Sequence, residues 1–124
     1  MLKGVQTAED VVLAKQAGVK GVVLSNHGGR QLDFARSGIE VLPEAMAALK
    51  EEFSAEELED FHVFVDGGVR RGTDILKALA LGARAVGLGK PVAYAMSAYG
   101  EDGIAAMLNG LVSPELHTII PALD

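Results

Sequence analysis

The sequence predicts an α/β fold, the C-terminal half of a (β/α)8 TIM barrel with about four parallel strands and their helices, and three observations predict it. First, the chain matches itself: KGVQTAEDVVLAKQAGVKGVVL lies over GGVRRGTDILKALALGARAVGL, so that Gly4, Val5, Asp10, Ala14, Gly18, Val22 and Leu24 fall on Gly68, Val69, Asp74, Ala78, Gly82, Val86 and Leu88. Second, each copy reads as a turn, a capped helix, a glycine stop and an apolar run, and alternating helices and buried strands imply a parallel sheet. Third, the 124 residues are about half of the roughly 250 that a complete barrel takes. Residues 1–124 are therefore expected to form one half-barrel unit. Periodicity cannot see closure, so an open doubly wound sheet fits the same pattern.

Taken in order, a truncated strand is expected before Lys3. Thr7 then caps a helix, with Asp10 complementing the exposed amides and Gly18 taking the left-handed position that ends it. Gly21 to Leu24 form a strand buried on both faces. A loop from Ser25 to Gly38 leads to a helix from about Pro43 to Phe53, since proline suits a first helical turn. A polar connection precedes the strand HVFVD, ending at Asp66. Thr73 begins the next helix, Gly82 ends it, and Ala85 to Leu88 form the last buried strand. Tyr94 and Tyr99 fall on a helical or turn segment and are expected to pack rather than react.

Composition narrows the function classes. Hydrophobic residues make up 49%, which suits a folded core. Eleven basic against 17 acidic residues give a net charge of −6, which argues against nucleic acid or an anionic membrane as a partner, so any anion site is local. The chain has no cysteine, and its three histidines are scattered, which disfavours a metal site, a disulfide framework or a thiol nucleophile. No apolar run approaches the ~20 residues of a membrane span, and no targeting segment is evident.

In such barrels the chemistry gathers at the C-terminal ends of the strands. Four clusters fall there: Lys3, SNHGGRQLD (Ser25 to Asp33), DGGVRRG (Asp66 to Gly72) and GLGKP (Gly87 to Pro91). Gly67 and Gly68 let backbone approach a ligand closely, Arg70 and Arg71 supply guanidinium groups, and the following helix points its amino end at an anion. Gly87, Gly89 and Lys90 can close over the same phosphate. The alternative is that these glycines only make tight turns and the cations are solvated. His27 can take a proton near neutral pH, and Arg30 offers a planar fork matched to a carboxylate; a capping histidine and a surface arginine are the plainer reading. His62 and His117 have no neighbours that complete a site.

Those same segments, LKGVQTAEDVVLA, GVVLSNHGGRQLD, VFVDGGVRRGTDILKALALGA and VGLGKP, closely resemble the FMN-dependent 2-hydroxy acid dehydrogenases and oxidases over about residues 2 to 103. Within that family they look nearest the yeast-type lactate dehydrogenases. The resemblance implies FMN as cofactor and a small L-2-hydroxy acid, of lactate or glycolate type, as substrate. It implies His27 as the base and Arg30 as the carboxylate anchor. Lys3 would stand against the pyrimidine edge of the flavin, Ser25 would touch FMN, and Asp66, Gly67, Gly68, Val69, Arg70, Gly89 and Lys90 would hold the ribityl phosphate. Lys90 stands where the family usually has arginine, which puts a point charge in place of a bidentate donor. The family's first half carries the tyrosines that face substrate and the aspartate that orients the histidine. This chain alone is therefore expected to be inactive, with the missing half-barrel or a second copy of itself as partner. Two other readings stay open: a barrel of the inosine-monophosphate dehydrogenase type, disfavoured by the absence of a cysteine, and a self-associating half-barrel scaffold without catalysis.

Overall fold

In the computed structural model, which describes residues 1–112, the first strand, β1, spans Leu2–Val5 and so contains Lys3 instead of ending before it. The reason is a bulge. Leu2 and Lys3 pair with Val22 and Val23, but the next partner, Leu24, faces Val5, leaving Gly4 as an extra residue at φ 92°. Glycine absorbs that left-handed conformation and the strand continues.

Helix α1 (Ala8–Gln16) starts as its sequence predicts, with Thr7 Oγ1 accepting from the Asp10 N–H at 3.2 Å. Its end is a Schellman motif: Gly18 donates to the Lys15 carbonyl and Val19 to that of Ala14, with Gly18 at φ 79°. Strand β2 (Gly21–Leu24) follows. Helix α2 (Gly38–Glu52) begins well before Pro43, because Ser37 and Glu40 form the start signal: the Glu40 carboxylate accepts from the Ser37 N–H at 2.8 Å. Pro43 therefore sits inside the helix.

The polar connection holds a short helix, α3 (Ala55–Leu58), closed by reciprocal bonds between Ser54 and Glu57. Strand β3 (His62–Asp66) leads to α4 (Gly72–Ala80), one residue earlier than Thr73. Its end repeats that of α1: Gly82, at φ 101°, donates to Leu79, and Ala83 donates to Ala78. The self-match in the sequence is thus a repeated cap-to-cap unit. Strand β4 (Ala85–Gly87) precedes α5 (Lys90–Leu111), which breaks at Gly100.

All strand pairs are parallel and the order is β1-β2-β3-β4. Right-handed crossovers taken in unbroken sequence place every intervening helix on the same face. A doubly wound sheet needs a reversal of order, and this sheet has none. The core lies between that face and the helices, with Val11, Val22, Leu24, Val41 and Leu42 fully buried.

The opposite face is less covered than continuous apolar strands imply. Along β3, Val63 and Val65 are buried while His62, Phe64 and Asp66 are only partly so, and β4, expected to be buried on both faces, has an exposed Ala85. That uneven burial agrees with connecting helices that lie on one face, as right-handed crossovers require. Tyr94 and Tyr99, expected to pack, are 68% and 79% exposed, because the break at Gly100 folds α5 back on itself and leaves them on an open groove. His62 is structural, its ring edge-on to Phe64, and His117 lies outside the described residues.

One close approach decides a residue type. A Cβ on Gly21 would stand 2.6 Å from the His62 carbonyl oxygen, a backbone atom that cannot swing away. Gly21→Ala is expected to cost about 1–3 kcal/mol through forced separation of β2 from β3. The checking measurement is the urea midpoint at unchanged slope.

Candidate functional site

Strand β2 ends in a buried serine. Ser25 is 2% exposed and its hydroxyl makes every hydrogen bond a hydroxyl can. Ser25 Oγ donates to Asp66 Oδ1 at the end of β3, accepts from Lys3 Nζ on β1 at 2.6 Å, and accepts from the backbone N–H of His27 at 3.0 Å. Lys3 Nζ also lies 2.7 Å from Asp66 Oδ2. Three strands therefore meet in one charge-balanced cluster at their C-terminal ends. The bulge at Gly4 breaks strict alternation beside Lys3, and parallel registry brings the ends of β2 and β3 level.

After Ser25 the backbone turns left-handed for three residues, His27 (φ 59°), Gly28 (67°) and Gly29 (73°). The turn closes through Gly29 N–H to the Asn26 carbonyl at 3.1 Å, and the Asn26 side chain accepts from the same N–H at 3.0 Å. Two of the three positions suit glycine. His27 alone bears the cost of a side chain there, and left-handed non-glycine residues of this kind concentrate at functional sites. Phe34 shares the conformation (φ 60°) and is fully exposed.

Lys3, Ser25, Asn26 and His27 line one cavity of about 500 Å3, with the 31–35 segment on its other side. Gln6 lines it too, and its Nε2 is buried without a hydrogen-bond partner among the described residues. Sequence reasoning missed Gln6; a polar residue directly after a strand end was the available signal. Arg30 is exposed on the following turn and does not line this cavity. The His27 imidazole has no carboxylate partner among the described residues.

The glycine turn after β3 has the conformation a ligand cradle needs. Gly67 and Gly68 lie at φ 84° and 79°, and among the described residues a Cβ on Gly68 or Gly89 would meet no neighbouring atom within 4 Å, which leaves space beside both. Val69 is buried and anchors the turn, while Arg70 and Arg71 are exposed. Lys90 reaches away from that turn: its Nζ donates to the Gly28 carbonyl at 2.9 Å and so ties the fourth cluster to the His27 loop. Asp66 likewise faces Lys3 and Ser25.

Asp74 shapes the start of α4. Its Oδ2 accepts from the N–H groups of Arg70 and Arg71, both at 3.0 Å, and these two backbone bonds hold its carboxyl below the usual value. A depressed folded-state pKa stabilises the fold above the unfolded carboxylate range and ceases to do so as pH falls through the folded value. Asp74→Ala is expected to destabilise the chain by about 1 kcal/mol or less at neutral pH, given its exposure. The difference from the parent should vanish in acid, once the pH has fallen through the folded-state value. Chemical denaturation at both pH values checks this.

The chain is similar to known proteins in both sequence and fold. A model of the FMN-dependent dehydrogenase family matches residues 1–120. Among curated relatives, L-lactate dehydrogenase (cytochrome) of Saccharomyces cerevisiae is 62% identical over 104 residues, 84% of this chain and 17% of the relative. 2-Hydroxyacid oxidase 2 of Rattus norvegicus is 47% identical over 117 residues, 94% of this chain and 31% of the relative. The chain thus spans less than a third of the length of either. Among solved structures, the flavin-binding domain of baker's yeast flavocytochrome b2 superposes with a TM-score of 0.86 at 53% identity, covering 98% of this chain and 30% of that one. A mandelate oxidase mutant with (S)-mandelic acid gives 0.82 at 44%, covering 95% and 33%. The four-stranded sheet matches a portion of those TIM barrels.

Proposed function

Because the chain belongs to the FMN-dependent dehydrogenase family, we propose that it forms the phosphate-holding and proton-accepting part of a barrel that oxidises small L-2-hydroxy acids, of lactate or glycolate type, to 2-oxo acids. The observation that carries this reading is the convergence of Lys3, Ser25 and His27, from two neighbouring strands, on one cavity. The chain's residues fit FMN: the open glycine positions leave room for a phosphate, and the buried Gln6 Nε2, without a partner among the described residues, borders the cavity.

Gly67, Gly68, Val69 and Arg70 would hold the phosphate from one side and Gly89 and Lys90 from the other. Lys90 would exchange its bond to Gly28 for the phosphate. Bound FMN would supply the two-electron acceptor. Lys3 places a fixed cation at the cavity wall, where it favours negative charge on a neighbouring group. Asp66, bonded to Lys3 and Ser25, aims that cation. His27 takes the proton released from the substrate, and Arg30 fixes the substrate carboxylate once the rest of the barrel closes over the loop.

A titration of the chain with FMN, read by flavin fluorescence with riboflavin as control, tests this reading. Saturable FMN binding at least about tenfold tighter than riboflavin is expected, as a phosphate held by charge-assisted bonds requires. Equal affinity for both flavins, or none for either, would overturn it.

The sheet edges support the partner as well. Among the described residues β1 pairs only with β2 and β4 only with β3, so each presents a free edge. The preceding half of the barrel would close both. A second copy of the chain is the substitute, and sedimentation velocity showing a concentration-dependent dimer is the expected result for the chain by itself.

A further inference from the structure

We propose that Ser25 is the positioning residue for His27: its hydroxyl fixes the peptide plane that enters the left-handed turn at His27, beside the cavity, and Asp66 and Lys3 hold that hydroxyl in place. This deepens the proposed function, since it rests on His27 as the proton acceptor.

His27 has a side chain at φ 59°, a conformation uncommon outside glycine, although histidine adopts it more readily than most residues. The two glycines after it relieve their own positions and not this one. The bond from the Gly29 N–H to the Asn26 carbonyl closes the turn around His27 and Gly28, and the bond from the His27 N–H to Ser25 Oγ fixes the peptide plane from which that turn starts.

A freely rotating hydroxyl would be a poor clamp, because its proton could turn toward the incoming N–H. This hydroxyl cannot turn. Its proton is given to the Asp66 carboxylate, which has no proton to give back when ionised, and Lys3 Nζ occupies one of the two acceptor positions. The remaining lone pair points to His27. Burial of Ser25 excludes water that could compete for either position.

The same arrangement makes the histidine's position depend on residues 22 and 41 positions away from Ser25 in the chain. Loss of the hydroxyl frees the peptide plane before His27, so the turn can open and His27 can move from its place at the cavity edge. Threonine at position 25 retains a hydroxyl. Cysteine retains the size and offers only a weak acceptor.

The test is residue-resolved amide hydrogen exchange on the full chain, which needs neither flavin nor turnover. In the parent the His27 amide is expected to be protected. In Ser25→Ala it should exchange about tenfold faster relative to the Val22 and Val63 amides of the core, the loss of one hydrogen bond. Ser25→Thr should retain protection. Ser25→Cys should behave as Ser25→Ala does, and replaces it should alanine prevent folding. Unchanged His27 exchange in both the Ala and Cys variants would overturn the proposal. So would acceleration of His27 only in step with the core amides, which marks general destabilisation.

Within a completed barrel, Ser25→Ala should lower kcat with little change in the KM of the hydroxy acid, and Ser25→Thr should restore it. Protection of His27 in a chain that takes no FMN would leave the positioning assignment standing and remove the cofactor reading. Normal FMN binding with an unprotected His27 would do the reverse.

Discussion

His27→Gln, in a barrel completed with the preceding half of the yeast relative, should lower oxidation of L-lactate by about 10² to 10⁴-fold while FMN stays bound. Glutamine retains a polar side chain of similar reach and cannot take a proton at neutral pH. On the proposed role the fall should lie in kcat, because a group that accepts a proton in the transition state contributes little to ground-state binding. The backbone bond from residue 27 to Ser25 Oγ survives the substitution, so the loop itself should hold its shape. Steady-state kinetics with the flavin spectrum recorded in parallel separates loss of chemistry from loss of cofactor. A variant with intact flavin and parental kcat would remove His27 from the reaction.

Arg70→Ala is expected to weaken FMN binding roughly 10- to 100-fold, the equivalent of the ~1.5–3 kcal/mol that a hydrogen bond to a charged group contributes. Riboflavin affinity should not move, because it has no phosphate for the guanidinium to meet. The fold should tolerate the change: the Arg70 side chain is exposed, and its structural contribution is a backbone N–H donated to Asp74, which alanine also supplies. Parallel fluorescence titrations with the two flavins check this. A proportional loss for both flavins would show that Arg70 supports the turn without touching the phosphate.

The two loops in which these residues sit were legible in the sequence for different reasons. DGGVRRGTD signals itself by composition, since paired glycines, paired arginines and a helix start within nine residues suit an anion, although tight turns and solvated cations fit the same residues. SNHGGRQLD was legible chiefly by resemblance; by residue type alone His27 and Arg30 could have been a cap and a surface cation. The structure brings His27, Ser25 and Lys3 to one cavity and leaves Arg30 outside it. Asp66 and Lys90 were correctly marked as polar residues at strand ends, yet their partners were not foreseen. Asp66 turns to Lys3 and Ser25, and Lys90 turns to Gly28.

Helix boundaries divided along similar lines. Thr7, Gly18 and Gly82 mark their helix ends because capping is settled within five or six residues. Pro43 misled as a start signal because Ser37 and Glu40, a stronger local pair, lie just upstream. The coverage of the sheet escaped the sequence as well: an apolar run reports that a strand is suited to burial, and only topology decides what lies against each face.

By itself, then, the sequence determined the alternation of strand and helix, the repeat that makes two quarters of the fold alike, and the residue types that stand at the strand ends. These depend on interactions between residues a few positions apart, which any reader of the chain can inspect. Tertiary structure alone decided that Gly4 bulges, that Ser25 gives its proton to Asp66 and its lone pairs to Lys3 and His27, and that Lys90 reaches Gly28. Each of those contacts joins neighbouring strands or distant loops through parallel registry, and registry is set by packing of the whole sheet against its helices.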